Sequence, residues 1–346
     1  MEFLNILPNL VSAFEIKKGS IVLLQFWGDN KDIDFLDKFA IEIAKIGGIP
    51  IKHQFSREYL KDYFSQVTNE NLEFPENYFK VFGLADTIID ICMYTPVIAH
   101  KDFPKDKTAA YKNHMRNLFS TVSSSEKKLI QLRVPTEQNA VEAGLEVAVY
   151  NETLLAAYNI NYSELKLTSS NLLNKLNNKK VVTITTDEIN TLSFDLGNRQ
   201  WFKDDGTGDM PCGEIYIAPI EESANGKILL PRIELEDNSY ENVTLGFKNG
   251  KVSASSEKAV LEFFKNVPEN ADTIGELGIG LNKHVKKLIG LDLTDEKCIG
   301  TAHIALGMNI MFGGKNNCPF HADFVFKPDE LKIDEIVVIE NGILVI

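Results

Sequence analysis

Two alternating residues near the C-terminus, His321 and Asp323, are the clearest candidates for chemistry in this sequence. Polar and apolar residues alternate from Pro319 to Phe326 with the two-residue period of a strand, so the imidazole and the carboxylate point to the same side. Their Cα atoms are expected to lie roughly 7 Å apart, within reach of one metal ion or a metal pair. A His-x-Asp pair on a strand is also common as a surface ion pair, so the pair alone does not establish a metal site.

Two further residues lie in glycine-rich segments upstream of this pair. His303, in GTAHIALG, has small and apolar neighbours, where a neutral imidazole needs either a metal or a backbone carbonyl as its partner. Glu276, in the apolar turn IGELGIG, needs either a cation or several backbone N–H groups if it is buried. Divalent ions prefer oxygen and imidazole ligands, and a hydrolytic site needs several of them with one position open. Together with the His-x-Asp pair, these residues predict a metal site.

The composition indicates a globular protein and argues against some partners. Of the 346 residues, 44% are hydrophobic and 25% are charged, and this length exceeds the usual size of a single core, so two domains are expected. The formal net charge is -13, whereas nucleic acids and anionic membranes are bound through clustered Lys and Arg. No run approaches the ~18 apolar residues that span a bilayer. We therefore expect no nucleic-acid or membrane partner.

The N-terminus and the cysteines favour a cytoplasmic protein. The sequence begins MEFLNI, with an acid where a secretory signal carries Lys or Arg. The cysteines are widely spread and form no C-x-x-C pair, unlike those of a disulfide framework or a zinc finger, so reduced thiols are expected. The four cysteines are Cys92, Cys212, Cys298 and Cys318.

The first half alternates strand-like and helix-like segments, which predicts an α/β domain with an open, mostly parallel sheet. The predicted strands are 21–26, 49–51, 87–91 and 128–132, and the predicted helices are 32–46 and 107–120. The turn after the first strand, Trp27 to Asn30, lacks the spaced glycines of a phosphate cradle. We therefore interpret this domain as a scaffold.

The second half is richer in strand-like segments and predicts an α+β domain. Helical periodicity ends near Leu176, and the Asn249-Gly250 and Asn341-Gly342 dipeptides predict type I′ hairpins. With the boundary placed near residue 178, the prediction is an N-terminal α/β domain of residues 1–178 and a C-terminal α+β metal-binding domain of residues 179–346.

Several segments of the second half resemble, in their order and spacing, the thermophilic metalloprotease family of aminopeptidase T and its relatives. These segments are MPCGEIY at 210–216, GELGIG at 275–280, DEK at 295–297, GTAHIALG at 300–307 and HAD at 321–323. The first half matches by its strand-helix pattern and by VPT at 134–136. The resemblance implies an α/β N-terminal domain, a C-terminal metal-binding domain, a two-metal site, a homodimer and the removal of N-terminal residues from peptides.

Carried over by position, the resemblance implies metal contacts from Glu214, Glu276, His303, His321 and Asp323. Without it, Glu214 would be interpreted as an ordinary strand-edge glutamate. Zinc, cobalt and manganese all suit such ligands. In a two-metal site the ions activate water and polarise the scissile carbonyl, and a carboxylate takes the proton of that water. Glu276 or Glu214 is the expected catalytic carboxylate.

One position departs from the resemblance. The characterised peptidases of that family carry a tyrosine ligand seven residues after the first histidine, where this sequence has Ile310. Isoleucine offers no oxygen, so a neighbour such as Asn309 substitutes, one metal position is weakened, or the chemistry differs. Asp295 and Glu296, which precede Lys297, are interpreted as a helix start or an ion-pair segment rather than as a base.

Three functions are compatible with these residues. The leading hypothesis is a cytoplasmic, homodimeric metallo-aminopeptidase that acts on small peptides. The main alternative is a mononuclear iron dioxygenase related to the 2,5-dihydroxypyridine ring-cleaving enzymes, with Fe(II) held by His303, His321 and Asp323. The third is a metal-binding or peptide-binding homologue that has lost turnover, with Ile310 as its mark. Metal stoichiometry separates the first two, with two ions for the peptidase and one for the dioxygenase.

Overall fold

The computed structural model describes residues 2–122, 127–236 and 238–346, which form two compact units. The first unit comprises Met1–Tyr162 and Gly206–Cys212, and the second comprises Ser163–Asp205 and Gly213–Ile346. The α-helices are α1 (Phe3–Ala13), α2 (Ile33–Lys45), α3 (Arg57–Gln66), α4 (Glu76–Lys80), α5 (Thr108–Val122), α6 (Glu137–Glu142), α7 (Val147–Tyr158), α8 (Tyr162–Leu176), α9 (Lys258–Asn266) and α10 (Asp292–Asp295). The strands are β1 (Ile21–Trp27), β2 (Ile49–Phe55), β3 (Thr87–Cys92), β4 (Lys128–Arg133), β5 (Val181–Thr186), β6 (Asn190–Asp195), β7 (Phe202–Asp204), β8 (Asp209–Met210), β9 (Glu214–Ile217), β10 (Asn225–Leu235), β11 (Asn238–Lys248), β12 (Lys251–Ser255), β13 (Ile274–Gly280), β14 (Ala302–Gly307), β15 (His321–Phe326), β16 (Glu330–Ile333), β17 (Ile336–Glu340) and β18 (Ile343–Leu344).

The first unit contains a five-stranded sheet in the order β2-β1-β3-β4-β8, and every neighbouring pair is parallel. Strand β3 is buried along its whole length, and β1 is buried except at its first residue. Continuous apolar runs of this kind are typical of strands covered on both faces. Helix α2 buries Phe35, Phe39 and Ile43, which recur at helical spacing. The predicted α/β class is therefore confirmed.

The second unit contains an eight-stranded and a five-stranded antiparallel sheet. Their orders are β12-β11-β10-β6-β5-β16-β17-β18 and β15-β14-β13-β9-β7. Both predicted hairpins are confirmed, because the central residues have the positive φ that a type I′ turn requires. The φ angles are 51° at Asn249, 81° at Gly250, 50° at Asn341 and 69° at Gly342.

The compact units divide at Tyr162, the first residue of α8, whereas the boundary predicted from sequence follows this helix, near residue 178. Helix α8 belongs to the second unit because its polar residues are paired there. Ser169 donates a 3.0 Å hydrogen bond to Asp205, and Glu164 lies 2.6 Å from Lys283. The short segment Gly206–Cys212 returns to the first unit, where β8 pairs with β4.

Candidate metal centre

The five predicted site residues lie on four adjacent strands of the five-stranded sheet. Glu214 is on β9, Glu276 on β13, His303 on β14, and His321 and Asp323 are on β15. Because side chains alternate along a strand, residues two apart share a face. This alternation places the imidazole of His321 and the carboxylate of Asp323 on the same side of β15, as the sequence predicts.

The strand register brings these side chains together across the sheet. Ala305 of β14 pairs with Glu276 on one side and with Asp323 on the other, so the small alanine separates two carboxylates. His303 lies two residues before Ala305 and therefore on the same face. The segment around Glu276, interpreted from sequence as a turn, is instead the fully buried strand β13. Its glycines leave room for neighbouring side chains rather than forming a turn.

The first group of ligand atoms comes from Glu276, His321 and Asp323, which we call the His321 triad. One ligand atom from each residue lies within 4.8 Å of the others. His321 Nε2 is 3.3 Å from Asp323 Oδ2 and 3.5 Å from Glu276 Oε2. His321 Nδ1 lies 2.9 Å from the Met308 carbonyl oxygen, to which it donates as Nδ1–H. This hydrogen bond leaves Nε2 as the ligand atom, an arrangement common for metal-binding histidines.

The second group comes from Glu214, Glu296 and His303, which we call the His303 triad. Its ligand atoms also lie within 4.8 Å of one another. Glu214 Oε2 is 3.8 Å from His303 Nε2, and this buried oxygen has no hydrogen-bond partner among the described residues. A buried carboxylate oxygen without a donor is costly unless a cation meets it, so the group fits a metal ion. Glu296 was not among the site residues predicted from the sequence.

Glu276, a member of the His321 triad, also faces the His303 triad. Its Oε1 is 3.6 Å from His303 Nε2, while its Oε2 is 3.5 Å from His321 Nε2. One carboxylate thus faces an imidazole of each triad, which is the position expected of a ligand shared by two ions. The alternative considered from sequence, an anion solvated by backbone N–H groups, does not describe these contacts.

The sequence as a whole matches a known family. The sequence profile described as thermophilic metalloprotease (M29) matches residues 10–344. The chain belongs to the M29 metalloprotease family. It is therefore assigned to the metallopeptidases, and the resemblance of its second-half motifs to this family is confirmed.

The fold of this M29 chain is similar to two solved structures. Wild-type AmpT from Thermus thermophilus superposes with a TM-score of 0.69 at 15% sequence identity, covering 99% of this chain and 100% of that one. The 2,5-dihydroxypyridine dioxygenase from Pseudomonas putida KT2440 superposes with a TM-score of 0.66 at 14% identity, covering 99% and 96%. At these identities the likeness shows a shared fold. A search of curated proteins finds no match.

The two imidazoles of the centre, one in the His321 triad and one in the His303 triad, are surrounded by carboxylates. Burial lowers the pKa of His303, but the contact with Glu276 and the charges of Glu214 and Glu296 outweigh it and raise the pKa to about 10. Burial likewise lowers the pKa of His321, but Asp323 and Glu276 raise it to about 9. In the absence of metal, both rings are therefore positively charged imidazolium groups at neutral pH, with a proton on each nitrogen. A metal ion must displace those protons, so binding is coupled to proton release.

The carboxylates of the centre differ in their environments. Burial raises the pKa of Glu276, against the influence of His303. Burial also raises the pKa of Glu296, to about 8, against the influence of Lys297. Although burial opposes it, contact with His321 lowers the pKa of Asp323. In the metal-free centre, Glu296 and the two histidines are therefore protonated, and these protons compensate the negative charge that a bound cation would compensate.

The segment Asp295-Glu296-Lys297 has both structural and site residues. Asp295 accepts hydrogen bonds from the backbone of Ile289 at 2.9 Å and of Gly290 at 2.8 Å, so it fixes the chain before α10. Lys297 lies 3.0 Å from Glu296, which is the ion pair within the segment that the sequence suggests, and 2.5 Å from Glu214, a contact that the sequence did not predict. Glu296, the middle residue, joins the His303 triad. In the sequence, its place in the DEK segment of the family resemblance is the signal that could have pointed to Glu296.

Ile310 stands where the resemblance implies a tyrosine ligand, and its neighbour Asn309 is engaged in contacts within its own loop. Ile310 begins the 3₁₀ turn Ile310–Phe312 and is 47% exposed. Asn309 is buried, donates from Nδ2 to Glu221 at 3.1 Å and accepts from the Asn316 backbone at 2.9 Å. These contacts show that Asn309 supports its loop.

Proposed function

We propose that this M29 metallopeptidase is an aminopeptidase that uses two divalent ions held by the His321 and His303 triads. The observation that carries the proposal is the position of Glu276, whose two oxygens face one imidazole of each triad. When bound, the ions would activate water and polarise the scissile carbonyl. Zinc, cobalt and manganese all suit this set of carboxylate and imidazole ligands.

The grouping of the ligands supports two ions rather than one. Each triad offers one imidazole and two carboxylates, which is a ligand set suited to one divalent ion. Lys297 contacts two of the four carboxylates, those of Glu214 and Glu296. Two such sets support one ion at each triad.

Glu276 and Glu214 are the two proposed acceptors for the proton of the attacking water. Burial raises the pKa of Glu276, which suits a proton acceptor, but both of its oxygens face imidazoles of the centre. Glu214 uses Oε1 to accept a hydrogen bond from Lys297 and keeps Oε2 without a donor among the described residues. Both residues are also proposed as metal ligands, together with Glu296, His303, His321 and Asp323.

The dioxygenase alternative is supported by the fold likeness but not by the grouping of ligands. A mononuclear iron site would need His303, His321 and Asp323 around one ion. Among the described residues, His303 groups instead with two glutamates, while the other two group with Glu276. The arrangement therefore favours the peptidase.

The proposed location and assembly are those expected from sequence, a cytoplasmic homodimer that acts on small peptides. All four cysteines are buried thiols, which supports a reducing compartment. Within the described part of the chain, no helix has both the length and the apolar character needed to cross a membrane. The homodimer stays a prediction.

Elemental analysis combined with a substrate panel tests the proposal. We expect about two divalent ions per chain, and hydrolysis of aminoacyl substrates that stops with a chelator and returns with zinc, cobalt or manganese. Acetylation of the substrate amine should abolish cleavage, because an aminopeptidase requires the free amine. One iron per chain with ring cleavage would establish the dioxygenase instead. Two ions without any hydrolysis would indicate a homologue that has lost turnover.

A further inference from the structure

Lys297 is a buried cation in contact with two members of the His303 triad. Its side chain is 2% exposed, and its Nζ lies 2.5 Å from Glu214 Oε1 and 3.0 Å from Glu296 Oε1. The backbone of Lys297 is fixed as well, because its carbonyl accepts a 2.8 Å hydrogen bond from Asn282. An ammonium group is thus held at the carboxylates that the triad offers to a metal ion.

The contact with Lys297 distinguishes the two oxygens of Glu214. Oε1 accepts the hydrogen bond from the lysine, whereas Oε2 has no donor among the described residues and lies 3.8 Å from His303 Nε2. The lysine therefore orients the carboxylate so that one defined oxygen faces the triad. It also offsets the repulsion between Glu214 and the partly buried Glu296 when both are ionised.

We propose that Lys297 is a resident counter-cation of the His303 triad. It keeps Glu214 and Glu296 assembled before a metal ion binds, and it competes electrostatically with the ion that the same carboxylates hold. The inference rests on the proposed metal centre and adds a positioning residue to it. Lys297 and the metal ion are thus alternative sources of positive charge for one pair of glutamates.

This role differs measurably from that of an ordinary buried ion pair. A pair that only stabilises the fold contributes equally with and without metal. A resident counter-cation contributes most in the metal-free protein, because a bound ion replaces part of its charge. Removing the lysine should therefore strengthen metal binding while weakening the metal-free fold.

The test compares Lys297→Met with the wild type, in EDTA and in saturating Mn²⁺. In EDTA the Tm of the variant should fall by roughly 5 °C or more, because removing one partner leaves buried charges uncompensated. In Mn²⁺ most of this difference should disappear. Calorimetric titration should show one Mn²⁺ bound about tenfold more tightly than in the wild type, a coupling of ordinary size.

Lys283→Met is the matched control, because Lys283 forms an exposed ion pair with Glu164 in the same unit. Its Tm should stay close to the wild-type value with and without Mn²⁺. A variant at 297 that folds only in Mn²⁺ would support the proposal. If Lys297→Met folds in neither condition, Lys297→Gln is measured in its place, and failure of both to fold in Mn²⁺ would overturn it.

Two negative results are distinguishable. An equal loss of Tm in EDTA and in Mn²⁺, in a protein that binds the metal, overturns the role of Lys297 alone. A wild-type protein that binds no divalent ion overturns the metal centre and the proposed function with it.

Discussion

The imidazole of His303 lies directly against Gly278 of the neighbouring strand. A Cβ built at Gly278 would come within 1.9 Å of His303 Cε1 and 2.2 Å of Nε2. The two residues are paired in the register of β13 and β14, so the contact is set by the sheet itself. Any side chain at 278 must move the ring or the strand, because protein interiors are closely packed.

Gly278→Ala is therefore expected to displace His303 and disrupt the His303 triad. We expect the bound Mn²⁺ to fall from about two ions to one, and kcat/KM to fall by about 100-fold or more, since even indirect disturbance of metal ligands costs 10- to 100-fold. Gly83→Ala is the control, because the closest atom to its added Cβ is Thr121 Cγ2 at 3.3 Å. An alanine variant at 278 with two ions and full activity would contradict this account of the glycine.

His321→Ala tests the other triad. The substitution removes the Nε2 that lies 3.3 Å from Asp323 and 3.5 Å from Glu276, so we expect hydrolysis to be abolished. Because His321 is on the partly exposed end of β15, the Tm of the metal-free variant should stay within a few degrees of wild type. The control is His284→Ala, which removes an exposed imidazole from the same unit. Full activity in a well-folded His321→Ala protein would exclude both catalytic hypotheses.

The sequence predicted those features of the fold and the centre that depend on local pattern. Two-residue alternation correctly placed His321 beside Asp323, and the Asn-Gly dipeptides correctly marked two hairpins. Glu296 and Lys297 were different, because their roles arise only when the loop after α10 meets β9. No periodicity within Asp295-Glu296-Lys297 encodes that contact.

The boundary between the units also could not be predicted from local sequence pattern. Both α7 and α8 precede the change to β-rich sequence near residue 181, so the sequence alone groups them together. What assigns α8 to the second unit is the pairing of Ser169 with Asp205, more than thirty positions away in the sequence. Long-range pairing of this kind is decided by tertiary contacts rather than by propensity.

The stability of the metal-free protein should fall as pH rises. Despite the opposing effect of burial, carboxylates raise the pKa of His303 from 6.5 to about 10, so its contribution is complete below pH 6.5 and is lost as pH rises towards 10. Burial raises the pKa of Glu296 from 4.5 to about 8, so the folded state binds this proton more tightly and loses stability between these values. Both groups therefore lower the stability of the metal-free protein as pH rises through neutrality.

Thermal unfolding at several pH values checks this expectation. In EDTA, Tm should decrease from pH 6.5 to pH 9. The increase in Tm produced by Mn²⁺ should be larger at pH 8 than at pH 6.5, because the metal must displace the protons on His303 and Glu296. A metal-free Tm that rises over this range would show that the centre does not hold these protons.

Asn309→Ala separates support of the loop from metal binding. The side chain of Asn309 links Glu221 to the backbone of Asn316, and its removal leaves the buried N–H of Asn316 without this acceptor. We expect a destabilisation of about 1–3 kcal/mol, measured by urea unfolding, with two Mn²⁺ ions still bound. Because Glu221 also pairs with Arg199 and accepts from the Lys315 backbone, the loop should keep part of its anchorage. Loss of one ion at unchanged stability would instead make Asn309 the substitute for the tyrosine that Ile310 replaces.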